Sequence, residues 1–167
     1  SYANADTSQY FKSDSDNRIQ ISSAGFEFNT SDRKWVLDSE TSAYVGFVGS
    51  YPQEYQESII KTLAHFAITC SAKYVTQHIS ELKRFLKHGK GFTLAGLMAY
   101  KMLTPEGSRE QSISVLRTFL RKMVYLDFYV PDEFMKEFNT WVLKGREKGV
   151  PVSSQDPVEG PYSDLEF

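Results

Sequence analysis

Two segments limit what this chain can fold into: SAKYVTQHISELKRFLKHG, beginning at Ser71, and SREQSISVLRTFLRKMVY, beginning at Ser108. In the first, Tyr74, Val75, Ile79, Leu82, Phe85 and Leu86 recur at the spacing of one helix face, while Lys73, Gln77, Ser80, Arg84 and Lys87 fall on the opposite side. In the second, Ile113, Leu116, Phe119, Leu120 and Met123 make the apolar stripe, and Ser114, Arg117, Thr118 and Arg121 form an outer row with Lys122 at its edge. Each segment predicts a helix with one side packed and the other cationic. A shorter helical segment, TLAGLMAYKML, joins them.

The formal net charge of -2 conceals three blocks of opposite sign. Residues 1–60 hold 4 Lys/Arg and 9 Asp/Glu, residues 61–122 hold 11 and 3, and residues 123–167 hold 4 and 9. A basic middle between acidic ends is the sequence form of a polyanion-binding surface, because clustered Lys and Arg displace condensed counterions from phosphates. The plainer reading of the same pattern is a solvated helix face.

At 167 residues and 41% hydrophobic, the chain can bury one ordinary core, so one main domain with an appendage is expected. No apolar run approaches the roughly 20 residues that span a bilayer. The lone Cys70 cannot close an internal disulfide, which fits a reducing compartment, and the expected location is cytoplasmic. With no Met at position 1 and no helix terminator after Asp164, the sequence reads as a piece of a longer protein.

Residues 1–17 are rich in Ser, Asp and Asn and poor in aliphatics, the composition of a disordered or loosely docked arm. From Arg18 to Leu37 the period changes to two: Ile19 and Ile21, Phe26 and Phe28, Trp35 and Leu37 alternate with polar residues, which predicts a small β meander leaning on the helices through Phe26, Phe28 and Trp35. Pro52 opens a first long helix carrying Ile59, Ile60, Leu63, Phe66 and Ala67. Ser71 and Thr93 are N-cap candidates for the next two helices. A fourth helix runs from about Ser108, and Pro131 starts a fifth with Phe134, Phe138, Trp141 and Val142 as its apolar positions. After Gly145 the composition is that of a linker. The division expected is 1–45, an acidic arm with short strands; 46–145, a helical domain; and 146–167, an extended linker.

Signatures of catalysis are few. His65, His78 and His88 have no ligand or base at metal-site or triad spacing, and each reads as structural or solvated. Gly89-Lys90-Gly91 follows a helix and lacks P-loop spacing, so it reads as a helix stop. Glu54 and Glu57 are carboxylates expected in a first helical turn rather than a metal pair. Most of the aromatic residues have core spacing, with Tyr51, Tyr55 and Tyr100 left open between packing and base stacking.

The second helix of this chain, Tyr74-Val-Thr-Gln-His-Ile-Ser-Glu-Leu-Lys-Arg-Phe-Leu, resembles the Y…L…F helix of the core-binding, SAM-like domain of tyrosine recombinases, the phage integrase family. The tail from Val152 through Asp156-Pro-Val-Glu-Gly-Pro-Tyr to Glu166 is similar to the junction where such integrases enter their catalytic domain. The resemblance implies a mainly α fold: a four- to five-helix SAM-like bundle with a small N-terminal β meander and an extended C-terminal linker toward a catalytic domain. It also implies DNA integration and recombination in the parent protein, with double-stranded DNA as partner, self-association on that DNA as a further mode, and neither membrane nor small-molecule substrate. The family cleaves DNA with a Tyr nucleophile supported by Arg, Lys and His-x-x-Arg, and no His-x-x-Arg occurs here. The chain is therefore expected to bind DNA without cutting it and to need neither metal nor cofactor. By resemblance the second and fourth helices face the duplex through Lys73, Gln77, Arg84, Lys87 and Lys90 from one, and Arg109, Arg117, Arg121 and Lys122 from the other. Gln77, Arg117 and Arg121 are the expected base readers, and the rest phosphate contacts. The competing expectation is a helical protein-interaction module that docks an acidic partner on its basic face.

Overall fold

The structure, a computed structural model, describes residues 18–88 and 91–149, with the side chains of the last helix described only through residue 140. Among the described residues two antiparallel hairpins come first: β1 (Ile19–Ile21) with β2 (Glu27–Asn29), then β3 (Lys34–Val36) with β4 (Ser42–Tyr44). Five helices follow, α1 (Gln53–Thr69), α2 (Ala72–His88), α3 (Leu94–Leu103), α4 (Arg109–Tyr125) and α5 (Asp132–Gly149). Short 3-10 turns at Gly46–Ser50 and Glu106–Ser108 precede α1 and α4. The protein is mainly helical, as its periodicities predict. The hairpins and α1 through α4 share one compact unit that extends through Phe134, and α5 continues from Met135 into a second.

The expected single meander is instead two separate two-stranded sheets, because no ladder joins β2 to β3. The register decides which side chains enter the core. Gln20 pairs with Phe28 and Trp35 with Ala43, so Phe28, Trp35 and Ala43 point inward and are buried. Ile19 and Ile21, which alternate with polar residues in the sequence, stand on the outer face and are exposed. Phe26 is also on the surface. It lies in the β1–β2 turn beyond the ladder, next to Gly25 with its φ of +90°. The hairpins are tied down by two serines. The Ser22 hydroxyl donates to the Leu37 carbonyl at 2.6 Å, while the Ser23 amide and hydroxyl donate to the carbonyls of Ala67 and Cys70 at 2.9 and 2.6 Å. The turn of the first hairpin thereby supplies donors to the C-terminal end of α1, where helix carbonyls have no intrahelical partner.

Helix α1 is buried over much of its surface, since it meets α2, α4, β1 and the first 3-10 turn. Ile59, Ile60, Leu63, Phe66 and Ala67 are buried as predicted. So are the polar Gln56, Ser58 and Thr62, which satisfy themselves on backbone carbonyls of Tyr51, Tyr55 and Ser58 at 2.9, 2.9 and 2.7 Å. Helix α2 packs on α1, α3, α4 and β4. Its buried residues include Val75, Ile79, Leu82 and Phe85, the stripe read from sequence, with Tyr74 and Leu86 half-buried at its margins. The Ser71 and Thr93 hydroxyls accept the Tyr74 and Gly96 amides at 3.2 and 3.0 Å, as N-caps do. Between α2 and α3, Gly91 has φ +114°, and a Cβ there would stand 3.0 Å from Pro52, so both backbone and space call for glycine.

Helix α4 buries Ile113, Leu116, Phe119, Leu120 and Met123 as expected. Two residues past its end, Asp127 is in the left-handed region at φ 69°, with the Leu126, Asp127 and Phe128 amides folded back onto the carbonyls of Lys122, Val124 and Met123. The three tyrosines left open are all core: Tyr51, Tyr55 and Tyr100 are 2%, 6% and 0% exposed. Helix α5 continues to Gly149, four residues beyond the expected end, so the linker expected over 146–167 begins as helix, and 150–167 lie outside the described residues. The arm at 1–17 also lies outside them. No helix among the described residues is long and apolar enough to cross a membrane.

Candidate nucleic-acid interface

Helix α2 carries the clearest cationic row. Lys73, Gln77, Ser80 and Lys87 are exposed along one side, opposite the buried stripe, as the 3.6-residue period requires. Lys73 also lies close enough to Asp38 for its charge to act on that carboxyl. Asp38 is held below the usual carboxylate range first by the Glu40 amide and only last by Lys73. Lys90 falls outside the described residues. Lys83, which the helical pattern did not assign to the row, is exposed one turn before Lys87, and its Nζ stands 5.7 Å from the centre of the Phe47 ring. The sequence signal for it is the Lys83/Lys87 spacing of four; its position beside the row, rather than in it, hides it.

Arg84 lies in the same row, yet its guanidinium turns into the protein. It pairs with Glu81, donates from Nη1 to the Thr104 hydroxyl at 3.1 Å, and stands 4.6 Å from the centre of the Tyr100 ring. The Tyr100 hydroxyl donates to the same Glu81 carboxylate, and Arg109 donates from Nη2 to the Thr104 carbonyl at 3.2 Å. Burial, and then Glu81, push the Tyr100 phenol well above its ordinary range, so it stays a neutral donor. Two arginines expected to hold phosphates therefore meet at Thr104 and fasten the C-terminal end of α3 to α2 and α4. Although Arg84 falls on the side of α2 opposite the apolar stripe, these contacts make its guanidinium part of the packing between α2 and α3.

On α4, Arg121 is exposed and Arg117 half-buried. Lys122 is half-buried at the far edge, its Nζ 4.7 Å from the Tyr125 ring centre and 6.0 Å from that of Phe66. Of the nine residues assigned to DNA from sequence, eight are among the described residues, and the exposed ones of these are Lys73, Gln77 and Lys87 on α2 and Arg121 on α4. Among the described residues no group of three or more His, Cys, Asp or Glu could hold a metal ion, and Glu57 instead pairs with Lys61 at 2.7 Å. His65 is half-buried, with its imidazole held below its ordinary range by burial and then by Lys122. No protein-family model, curated protein or solved structure matches the chain.

Proposed function

We propose that this chain is a DNA-binding domain of the SAM-like, core-binding type, from a site-specific recombinase or integrase whose catalytic residues lie elsewhere. The observation that carries the reading is the outer row of α2. Lys73, Gln77 and Lys87 stand exposed along one side of a helix whose other side is the core, within the block of 11 Lys/Arg against 3 Asp/Glu. A rigid helix presenting cations at regular spacing suits the phosphates of a duplex, which supply most of the affinity and all of its steep salt dependence.

The test is a salt titration of binding to a labelled mixed-sequence duplex. Removing one phosphate-binding cation flattens the plot of log affinity against log salt by roughly 0.9, so Lys73→Ala with Lys87→Ala is expected to flatten it by up to about two units. Both side chains are exposed, so thermal melts should be unchanged. Lys136→Ala, in the acidic C-terminal block, should leave the slope alone. An unchanged slope in the double variant leaves α2 with a merely solvated face. A protein-interaction module is the second reading, favoured by the exposed Leu94, Met98 and Met102 that follow one another at every fourth position of α3. Competition of the duplex by heparin, with no protein ligand present, supports the first reading over the second.

A further inference from the structure

The β3–β4 hairpin gathers cations that are far apart in the sequence. Helix α2 packs against β4. At the end of the hairpin that leads into α1, Arg33 runs its aliphatic carbons past Gly46, 3.4 Å from where a Cβ there would stand. The next residue, Phe47, lies beneath the Lys83 ammonium, so Arg33 and Lys83 flank one short turn. Lys34 stands over its cross-strand neighbour Tyr44, 5.8 Å from the ring centre, and Lys87 follows Lys83 by one helical turn.

Arg33, Lys34, Lys83 and Lys87 are all exposed, and among the described residues none has a carboxylate at ion-pair distance. Like charges four apart on a helix repel, a cost that an anionic ligand removes. The acids of this hairpin sit mostly at its other end. Asp38 and Glu40 occupy the β3–β4 turn, where Asp38 is the group that Lys73 acts on, and Asp32 is the acid nearest Arg33 in sequence. The hairpin is thus charged in opposite senses at its two ends, with the cationic end beside Lys83 and Lys87.

We infer that the nucleic-acid face of α2 continues onto this end of the hairpin, with Arg33 and Lys83 contacting phosphates of the same duplex. The inference rests on the DNA-binding reading and extends it to strands that carry no helical pattern.

The experiment uses the full chain and the same salt titration. Arg33→Gln with Lys83→Gln is expected to flatten the slope by up to about two units, as the removal of two phosphate-binding cations requires, with an unchanged melt. If the double variant melts lower, Lys83→Gln alone reads the same effect as a drop of about 0.9. A flattened slope for Lys73→Ala/Lys87→Ala with an unchanged slope for Arg33→Gln/Lys83→Gln overturns the extension and leaves the α2 face standing. Unchanged slopes in both overturn the two together. A flattened slope in the Arg33/Lys83 variant alone overturns the inference as stated, because the row of Lys73 and Lys87 that it extends then makes no contact with the duplex.

Discussion

Lowering the pH from 7 to 4.5 is expected to cost the fold about 2 kcal/mol through a single imidazole. His78 is 1% exposed, stacked on Phe66 with ring centres 4.6 Å apart and set edge-on to Tyr74 at 4.7 Å. Neither of its ring nitrogens has a hydrogen-bond partner among the described residues. Burial lowers its pKa to about 4. The unfolded chain holds the same proton up to the ordinary value of about 6.5, so it binds more protons than the folded chain between those two values. Stability from this residue is complete above that ordinary value, falls as the pH drops through the window, and is fully lost below the folded pKa. Urea unfolding at both pH values measures the loss. The variant His78→Phe keeps an aromatic ring in the site and removes the titration, so the part of the pH dependence due to His78 should vanish in it. Equal losses in wild type and variant would assign the acid sensitivity to the carboxylates.

Arg84→Ala is expected to destabilise the fold by about 2 kcal/mol, a figure kept below that for a fully buried pair because the Arg84 side chain is 27% exposed. The loss has two parts. Glu81, 12% exposed at its side chain, loses its cationic partner, and Thr104 and Tyr100 lose the guanidinium that spans them. Arg84→Lys should recover little, because an ammonium cannot pair with Glu81, donate to Thr104 and lie over Tyr100 at once. Lys87→Ala, one turn away and exposed, should stay within about 0.5 kcal/mol of wild type. Chemical denaturation of the three variants checks the order. An Arg84→Ala protein as stable as the Lys87→Ala protein would mean that the junction at Thr104 contributes nothing to the fold.

The helices were legible because their pattern is local. The stripes of α2 and α4, the N-caps at Ser71 and Thr93 and the stop before Gly91 all follow from residues within a few positions of one another. The inward turn of Arg84 was hidden for the complementary reason. Its Cα lies on the outer row, as the helical period says, but a side chain that long can bend across to α3, and what it meets there is set by Thr104, twenty residues away. The strand β4 left almost no trace, since in three residues only Ala43 points inward, and an alanine gives no period. Ile19 and Ile21 show the limit of period-two reasoning: alternation tells which residues share a face, and only the pairing of Gln20 with Phe28 tells which face is covered. Lys83 and Arg33 came together through tertiary packing of the hairpin on α2, which no spacing within either segment announces.

Trp35 is fully buried, its ring centre is 5.0 Å from that of Phe28 in the other hairpin, and its indole N–H donates to the Asp32 carbonyl at 3.0 Å. The chain has only one other tryptophan, Trp141. In a Trp141→Phe background the intrinsic emission would therefore come from a single indole placed at the seam between the two hairpins, and its wavelength would report water reaching that seam. Far-ultraviolet dichroism, dominated by the helices, would report the rest of the molecule. Followed side by side through a denaturant series, the two signals separate a protein that melts as one cooperative body from one whose β layer peels away first.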